Sequence, residues 1–350
     1  MAPTTQSRMD TMEIPIYLLP YFAWRKLVRM MPTPEAFSLS LASQKAARLV
    51  KISLLSSKPM LMDVEFVGGD SHVKLYEENN PDPVIIWKIL QLNQRYIKKG
   101  LKKCEVKGSQ VMSWNKSSGQ LEPIFYASSP SRSMEEKMFN FILGHMIDIF
   151  PKVTVNKLGI TCCCHSKYSL SNMISTIQSA VHVSIDKYDL RNYTKYVLEN
   201  IKITGSFECS RPTYNGGLLV DKLACTDKVE ADNGTWMRSE TLLSLNCSMM
   251  YLGKTKFGKK ALTDFIRSWI TSDGEEKKKI QHWTFDCPLG VIPISLDEFG
   301  GANWDPAVRP QFWKEVDCST GIDIRRADGL LATVNQSFAN RFEFVVWHDL

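Results

Sequence analysis

The chain has 350 residues, of which 44% are hydrophobic and 23% charged, with a formal net charge of +6. This length allows about two domains with sizeable cores, and the composition excludes a disordered or low-complexity protein. No run reaches the roughly 18–20 apolar residues that cross a bilayer, and the first residues lack the features of a signal peptide. Nine cysteines without framework spacing are typical of reduced thiols. The sequence therefore predicts a cytosolic or nuclear protein with no membrane partner.

Positive charge is concentrated near the beginning of the chain. Residues 14–52 carry six lysines and arginines against one glutamate, a net charge of +5 that leaves +1 for all other residues. Because the remainder is nearly neutral, a broad phosphate-binding surface is not expected, and no nucleic-acid partner is predicted.

Three short helices are predicted over residues 14–52, after a flexible terminus over 1–13. Pro20 suits the first position of a helix, where its missing N–H costs nothing. Pro32 and Pro34 end that helix and begin the next, with Thr33 as its N-cap. Ser43 then caps a third helix through the stretch QKAARLVK.

The first of these helices is apolar around most of its circumference. At about 100° per residue, Arg25, Lys26 and Arg29 form a single polar stripe. A module of roughly 40 residues cannot bury the remaining apolar surface by itself. We therefore expect a second partner for this helix, which is either the rest of the chain or a separate protein.

The body is predicted to extend over residues 57–350. Its first part, 57–130, is β-rich, with strands at MLMDVEFV, VIIWKIL and CEVKGSQVMSW. From about residue 131, helical and strand-like pieces alternate, and the first three strand-like pieces recur at about 22 residues, within the spacing of leucine-rich repeats. The consensus of those repeats does not recur. The predicted fold is α+β overall: three helices, then an α/β body with an irregular, leucine-rich-repeat-like alternation.

Two short motifs allow a chemical and a structural interpretation. GKTKFGKK (253–260) follows a strand and precedes a helix, as a phosphate-binding loop does, but Lys260 stands where Ser or Thr should hold Mg²⁺. It is either a nucleotide site at Gly258 and Lys259 or a lysine-rich turn. CCCH (162–165) lacks the paired spacing of a structural zinc site. Since catalytic signatures are also missing, no catalytic residue, metal or cofactor is predicted.

The N-terminal helices resemble an F-box. The resemblance rests on Leu19-Pro20, Leu27-Val28, Met31, Phe37 and Leu39, and on LASQKAAR, which is similar to the end of that motif. The sequence departs from the family pattern at Pro32, where Asp is common, and at Ala36, where Leu is usual.

The C-terminal half is similar to the type-2 F-box-associated domain of the expanded nematode F-box family. The similarity is carried by TLLSLNCSMMYLGKTKFGKKALTDFIRSWI and by the later ADGLLATV and FEFVVW. It implies a non-catalytic substrate receptor of an SCF-type ubiquitin ligase, with a Skp adaptor, through it a cullin, and a protein substrate as partners. The expected adaptor contacts are Leu19, Pro20, Leu27, Val28, Met31 and Phe37.

Two alternatives remain open. In the first alternative, the chain is an interaction scaffold outside any ligase, and its basic helices pack on their own body. In the second, it is a nucleotide-binding protein that uses Gly258 and Lys259.

Overall fold

The computed structural model describes residues 19–67, 70–89, 102–106, 109–115, 123–127, 132–161, 171–186, 193–210, 223–272, 277, 279–337 and 340–348. Within them, helices α1–α7 run over Tyr21–Met30, Thr33–Ala42, Gln44–Leu54, Arg132–Ile149, Tyr193–Asn200, Ser239–Ser244 and Lys259–Thr271. A 3₁₀ turn covers Asp297–Phe299. None of the helices in this part of the chain is long and apolar enough to cross a membrane.

Strands β1–β6 cover Met60–Val67, Asp70–Glu77, Ile85–Ile89, Lys102–Val106, Ser109–Asn115 and Pro123–Ala127. Strands β7–β12 cover Val153–Ile160, Ser179–Ile185, Lys202–Cys209, Lys228–Ala231, Met249–Leu252 and His282–Asp286. Strands β13–β18 cover Ala302–Asn303, Phe312–Trp313, Val316–Asp317, Ile322–Arg325, Leu331–Ser337 and Arg341–Trp347.

Sixteen of the described strands form one mixed sheet, in the order β13-β16-β17-β18-β12-β11-β10-β9-β8-β7-β1-β2-β3-β6-β5-β4. Its centre is a run of parallel strands, β1 followed by β7 to β12 in chain order. Strands β14 and β15 form a separate hairpin. The chain is therefore a mixed α/β protein whose predicted alternation of strands and helices is present. Strand β10 fills the interval in which the sequence predicted no strand.

One face of this sheet is apolar and covered. Strand β9 shows the strict alternation of buried and partly exposed residues that a half-covered strand requires. On the covered side, Phe66 of β1 meets Phe139 of α4 with ring centroids 5.1 Å apart. Near the other end, Phe265 of α7 stacks on Trp283 of β12 at 4.9 Å. The core of the protein therefore lies between this face and the helices.

The three N-terminal helices share that core. Phe37 of α2 is fully buried, and its ring lies 6.3 Å from Trp87, 5.7 Å from His145 and 6.2 Å from Phe150. Trp24 and Val28 of α1 belong to the same apolar cluster. The first helices are thus anchored on the body by interior side chains.

Candidate protein-interaction surfaces

Helix α1 has one buried and one exposed apolar side. Trp24 and Val28 are almost fully buried. Phe22 and Met30 remain 79% and 73% exposed. At about 100° per residue, these two side chains and Lys26 lie within one arc of about 100°, opposite the buried side. We call Phe22, Lys26 and Met30 the helix-one face.

Arg29 borders this face and holds the end of α1. Its Nε donates a hydrogen bond of 3.2 Å to the carbonyl oxygen of Ser53, and its guanidinium also donates to the hydroxyl of Ser56. Because both partners lie at the end of α3, the two helices are tied together and the orientation of the helix-one face is fixed.

The predicted adaptor contacts do not form one exposed surface. Pro20 is exposed, and Leu19, Leu27 and Met31 are half-buried. Val28 and Phe37 lie in the core instead, where they hold the helices on the body. The resemblance identified apolar positions without separating the two sides of α1. The helical angles of Phe22 and Met30, taken with those of Trp24 and Val28, are the signal that was available.

The two departures from the F-box pattern lie in different surroundings. Pro32 is exposed and directly precedes α2. Ala36 is buried and lines a cleft of about 270 Å³ between the first helices and the body, together with Val28 and Met31. The small side chain at position 36 therefore affects packing on the body and lies away from the helix-one face.

On the second face of the large sheet, the described side chains of β8 to β11 are mostly partly exposed. We define the open face as the solvent-facing side chains of β1, β2 and β7 to β11. Parallel sheets are usually covered on both faces. Within the described residues, the second face carries two groups of ion pairs whose charged side chains are partly exposed.

A first ion-pair group, the Glu65 triad, lies on β1, β2 and β7. Glu65 accepts hydrogen bonds from Lys74 at 3.1 Å and from Lys157 at 2.9 Å. Burial opposes ionisation of Glu65, but these two hydrogen bonds and the positive charges behind them outweigh it and lower the pKa of its carboxyl. The carboxylate of Glu65 is shared by two ammonium groups, and Asp63, which lies opposite both lysines in the strand register, brings a second carboxylate to the same group.

A second group, the Lys228 triad, lies on β9 and β10. Lys228 pairs with Glu208 at 3.2 Å and also with Glu230. The hydrogen bond with Glu230 raises the pKa of Lys228 despite partial burial, and the bond with Glu208 acts in the same direction. One ammonium is shared by two carboxylates, so this triad has a net charge of −1.

The C-terminal end of the same face is covered. Trp313 and Val316 of the β14–β15 hairpin pack against Val345 and Trp347 of β18. The Trp313 ring also lies 5.2 Å from the ring of His282 on β12. Burial, helped by the charge of Lys314, lowers the pKa of His282 to about 4. The hairpin therefore closes the open face at β12.

Residues 220–279, which include strand β10 with Lys228, match the F-box associated family. This chain carries an F-box-associated domain. The described part of the domain contains β10, α6, β11 and α7, so it supplies two of the central parallel strands and the helices that cover them.

The full chain is similar to nematode proteins. It is 21% identical over 355 residues to the uncharacterized protein F59B2.8 of Caenorhabditis elegans, an alignment that covers 96% of this chain and 78% of that protein. It is 23% identical over 155 residues to the uncharacterized protein F59B2.9 of the same organism, covering 41% of this chain and 35% of that protein. No solved structure matches the chain. The resemblance to a nematode protein with an F-box-associated domain is therefore confirmed.

The GKTKFGKK motif lies within the F-box-associated domain as a turn between β11 and α7. The backbone N–H and the hydroxyl of Thr255 both donate to the carbonyl oxygen of Asp286, at 2.8 and 3.0 Å. Phe257 is buried, with its ring 5.4 Å from Phe285. Since two of its side chains anchor the turn to β12, the geometry favours the lysine-rich-turn interpretation of Gly258 and Lys259.

The cysteines and the candidate metal-binding residues give little indication of a metal site or of a reactive thiol. CCCH (162–165) lies outside the described residues. In the part of the chain that the structure describes, no three His, Cys, Asp or Glu side chains are grouped to hold a metal ion. Burial raises the pKa of Cys247 to about 12 and that of Cys287 to about 11, so both are thiols at neutral pH.

Proposed function

We propose that this chain is the substrate receptor of an SCF-type ubiquitin ligase. Its N-terminal helices dock on a Skp-family adaptor, and through it a cullin, in the cytoplasm or nucleus. Its body, a leucine-rich-repeat-like array, holds a protein substrate on the open face. The chain performs no catalysis and raises the effective concentration of the substrate beside the ubiquitin-charged enzyme.

The observation that carries this proposal is the helix-one face. Phe22 and Met30 are large apolar side chains exposed along one side of a helix, two turns apart, and the opposite side of this helix lies in the core. Large apolar side chains of this kind are common anchors of protein interfaces. The surplus of positive charge over residues 14–52 would speed encounter with an acidic adaptor.

Co-purification of the full chain with a Skp-family adaptor tests the proposal. The double variant Phe22→Asp with Met30→Asp should abolish the complex, because it places charge in the centre of the apolar contact. Both positions are exposed, so the variant should keep its unfolding midpoint. Leu289→Asp, at an equally exposed leucine outside α1, is the matched control and should bind as the wild type does.

Two results would overturn the assignment. The first is a wild-type chain that does not bind the adaptor, and the second is a folded double variant that binds it fully. Substitution of Val28, in contrast, cannot separate docking from folding, because this residue is buried beneath the helix.

A scaffold outside any ligase is the second candidate. That interpretation expects the basic helices to pack on their own body, and Trp24, Val28 and Phe37 do so. It is favoured if the body captures a protein while the helix-one face binds no adaptor.

A further inference from the structure

A patch of exposed lysines lies on the turn between β11 and α7. Thr255 and Phe257 of this turn face the interior, while the lysines on either side of them face solvent. These lysines are Lys254, Lys256, Lys259 and Lys260, and we call them the lysine patch. Since β11 is the last strand of the open face, the patch borders that face at the carboxyl end of the central parallel strands.

Two of these lysines occupy positions that do not favour lysine. Lys254 has a φ of 48°, in the left-handed region that glycine and asparagine adopt more readily. Lys259 begins α7, where the helix dipole favours acidic side chains, and the first turn of this helix contains none. Other residues would suit the fold better at both positions, so the two lysines point to a role other than stabilising the fold.

The carboxylates near the patch do not balance its charge. Three segments adjoin the turn, namely the loop after β10, the end of β12 and the first two turns of α7, and their described carboxylates are Asp232, Asp264 and Asp286. Arg341 pairs with Asp286 at 3.2 Å. Arg267 is shared by Asp264 at 3.3 Å and by Glu298 at 3.2 Å. With two arginines against four carboxylates, the four lysines leave this end of the sheet positively charged.

An exposed leucine stands next to the lysine patch. Leu289 is 87% exposed and lies in a turn whose Gly290 has a φ of 75°. The loop that carries it begins after Asp286, whose carbonyl oxygen accepts two hydrogen bonds from Thr255. Three residues span at most about 11 Å, so the Cα atom of Leu289 lies within that distance of the Cα atom of Asp286. The next two residues of the loop pack against the core, which holds Leu289 in place beside the lysines.

We propose that this edge of the sheet binds a segment of the substrate protein in which one large apolar side chain is flanked by acidic residues. The apolar side chain contacts Leu289, and the carboxylates meet the lysine patch. This inference rests on the proposed function, since it takes the occupant to be the substrate. A protein fits this edge better than a nucleic acid does, because residues outside 14–52 have a net charge of only +1 and Leu289 offers an apolar contact.

Binding of designed peptides to the full chain tests the proposal. The probe is a capped, fluorescently labelled peptide with one tryptophan between two pairs of glutamates. One comparison peptide has lysines in place of the glutamates, and the other has serine in place of the tryptophan. At low ionic strength, fluorescence anisotropy should show binding of the probe that is at least about 10-fold tighter than that of the lysine peptide and about 3-fold tighter than that of the serine peptide.

Reversing two charges of the patch should weaken the probe without unfolding the chain. Lys254→Glu with Lys259→Glu should cost at least about 10-fold in affinity, and it should keep or raise the urea midpoint because a carboxylate in the first turn favours the helix. The matched control is Lys152→Glu with Lys202→Glu. These two exposed lysines lie at the start of β7 and β9, on the opposite edge of the sheet, so the control should bind within about twofold of the wild type.

A second pair of variants isolates the apolar contact. Leu289→Ser should bind the probe and the serine peptide equally, whereas Leu55→Ser, at a 53% exposed leucine of α3, should keep the wild-type preference for tryptophan. If the double lysine variant unfolds, Lys259→Glu alone provides the charge comparison with a smaller loss of about 3-fold.

The outcomes separate this inference from the proposed function. A wild-type chain that binds the adaptor but does not prefer the probe over both comparison peptides overturns the inference alone, and so does equal weakening by the two lysine double variants. A short oligonucleotide of the same charge that binds more tightly than the probe would assign the patch to phosphate and overturn it too. A chain that prefers the probe but binds no adaptor supports the edge as a protein-binding surface and removes the ligase assignment.

Discussion

The same face of the large sheet is built in two different ways at its two ends. Over β16 to β18 it is covered by residues that include the β14–β15 hairpin, and it contains a buried ion pair between Arg309 and Asp323, whose side chains are 0% and 7% exposed. Over β1 and β7 to β10 it is open, and its ion pairs reach solvent.

The difference lies in how completely each charge is satisfied. Arg309 donates to both carboxylate oxygens of Asp323 at 2.9 Å and to the carbonyl oxygens of Pro310 and Cys318 at 3.0 and 2.8 Å. The hydroxyl of Thr333 donates to the same carboxylate. A buried charge needs such complete pairing, whereas the charged side chains of the open face are partly solvated. The ion pair of the covered end therefore contributes to the fold more than the pairs of the open face do.

Breaking the buried pair should have the largest effect on stability. Arg309→Met removes the guanidinium hydrogen bonds and leaves Asp323 buried without its cation, which should cost about 3–5 kcal/mol of the free energy of unfolding. Urea denaturation measures it. The control is Arg267→Met, which removes exposed pairs with Asp264 and Glu298 and a contact with the Phe299 ring and should cost about 1 kcal/mol or less. Equal losses in the two variants would contradict the comparison.

His282, at the border between the two regions, should make stability depend on pH. Its folded pKa of about 4 lies below the ordinary value of 6.5, so the unfolded chain binds this proton first as the pH falls. Stability should decrease from pH 6.5 to about pH 4, by roughly 3 kcal/mol in total. His282→Gln should remove this slope. An imidazole that titrates near 6.5 by NMR in the folded protein would show that the hairpin does not shield it.

Thr333→Val should lower the free energy of unfolding by less than Arg309→Met does. The hydroxyl donates to Asp323 at 2.7 Å and accepts a hydrogen bond from the indole N–H of Trp347 at 2.8 Å. Valine keeps the shape but leaves the indole N–H buried without this acceptor, at a cost of about 1–3 kcal/mol. Thr320→Val, at an exposed threonine, should leave the urea midpoint unchanged. A Thr333→Val variant with wild-type stability would mean that another group accepts the hydrogen bond of the indole N–H in place of the hydroxyl.

Lys228→Met should have the smallest effect. It removes two solvent-exposed pairs, so the free energy of unfolding should fall by less than about 1 kcal/mol, and the loss should shrink further in high salt. Denaturation at low and high ionic strength checks this. A loss as large as that of Arg309→Met would show that the open face contributes to the fold as much as the covered end does.

The sequence predicted elements well where their apolar residues form long patterns. The alternation of strands and helices predicted from about residue 131 is present, and β9 and β12 are two of its strands. Strand β10 was missed because it has only four residues, KVEA, two of which carry charges that face solvent. A short strand at the centre of a sheet is held by its neighbours, and its own sequence carries little of that information.

The open face could not be predicted from the sequence because it depends on register between distant segments. Glu65 meets Lys157 only after irregularities near Met62 of β1 shift the pairing of β1 with β7. A shift of one residue sends a side chain to the opposite face. The adaptor contacts stay a prediction, and the resemblance behind them transfers positions but not the side of the helix on which each residue lies.

The burial of Phe37 against Trp87, His145 and Phe150 affects how this chain can be dissected. A boundary near residue 56 separates two segments of sequence, but it divides a single interior. Deleting the first helices would uncover aromatic rings of the body, so a truncated chain that loses substrate would report damage to the remaining part. Surface substitutions in the intact chain are the sound way to assign a role to either half.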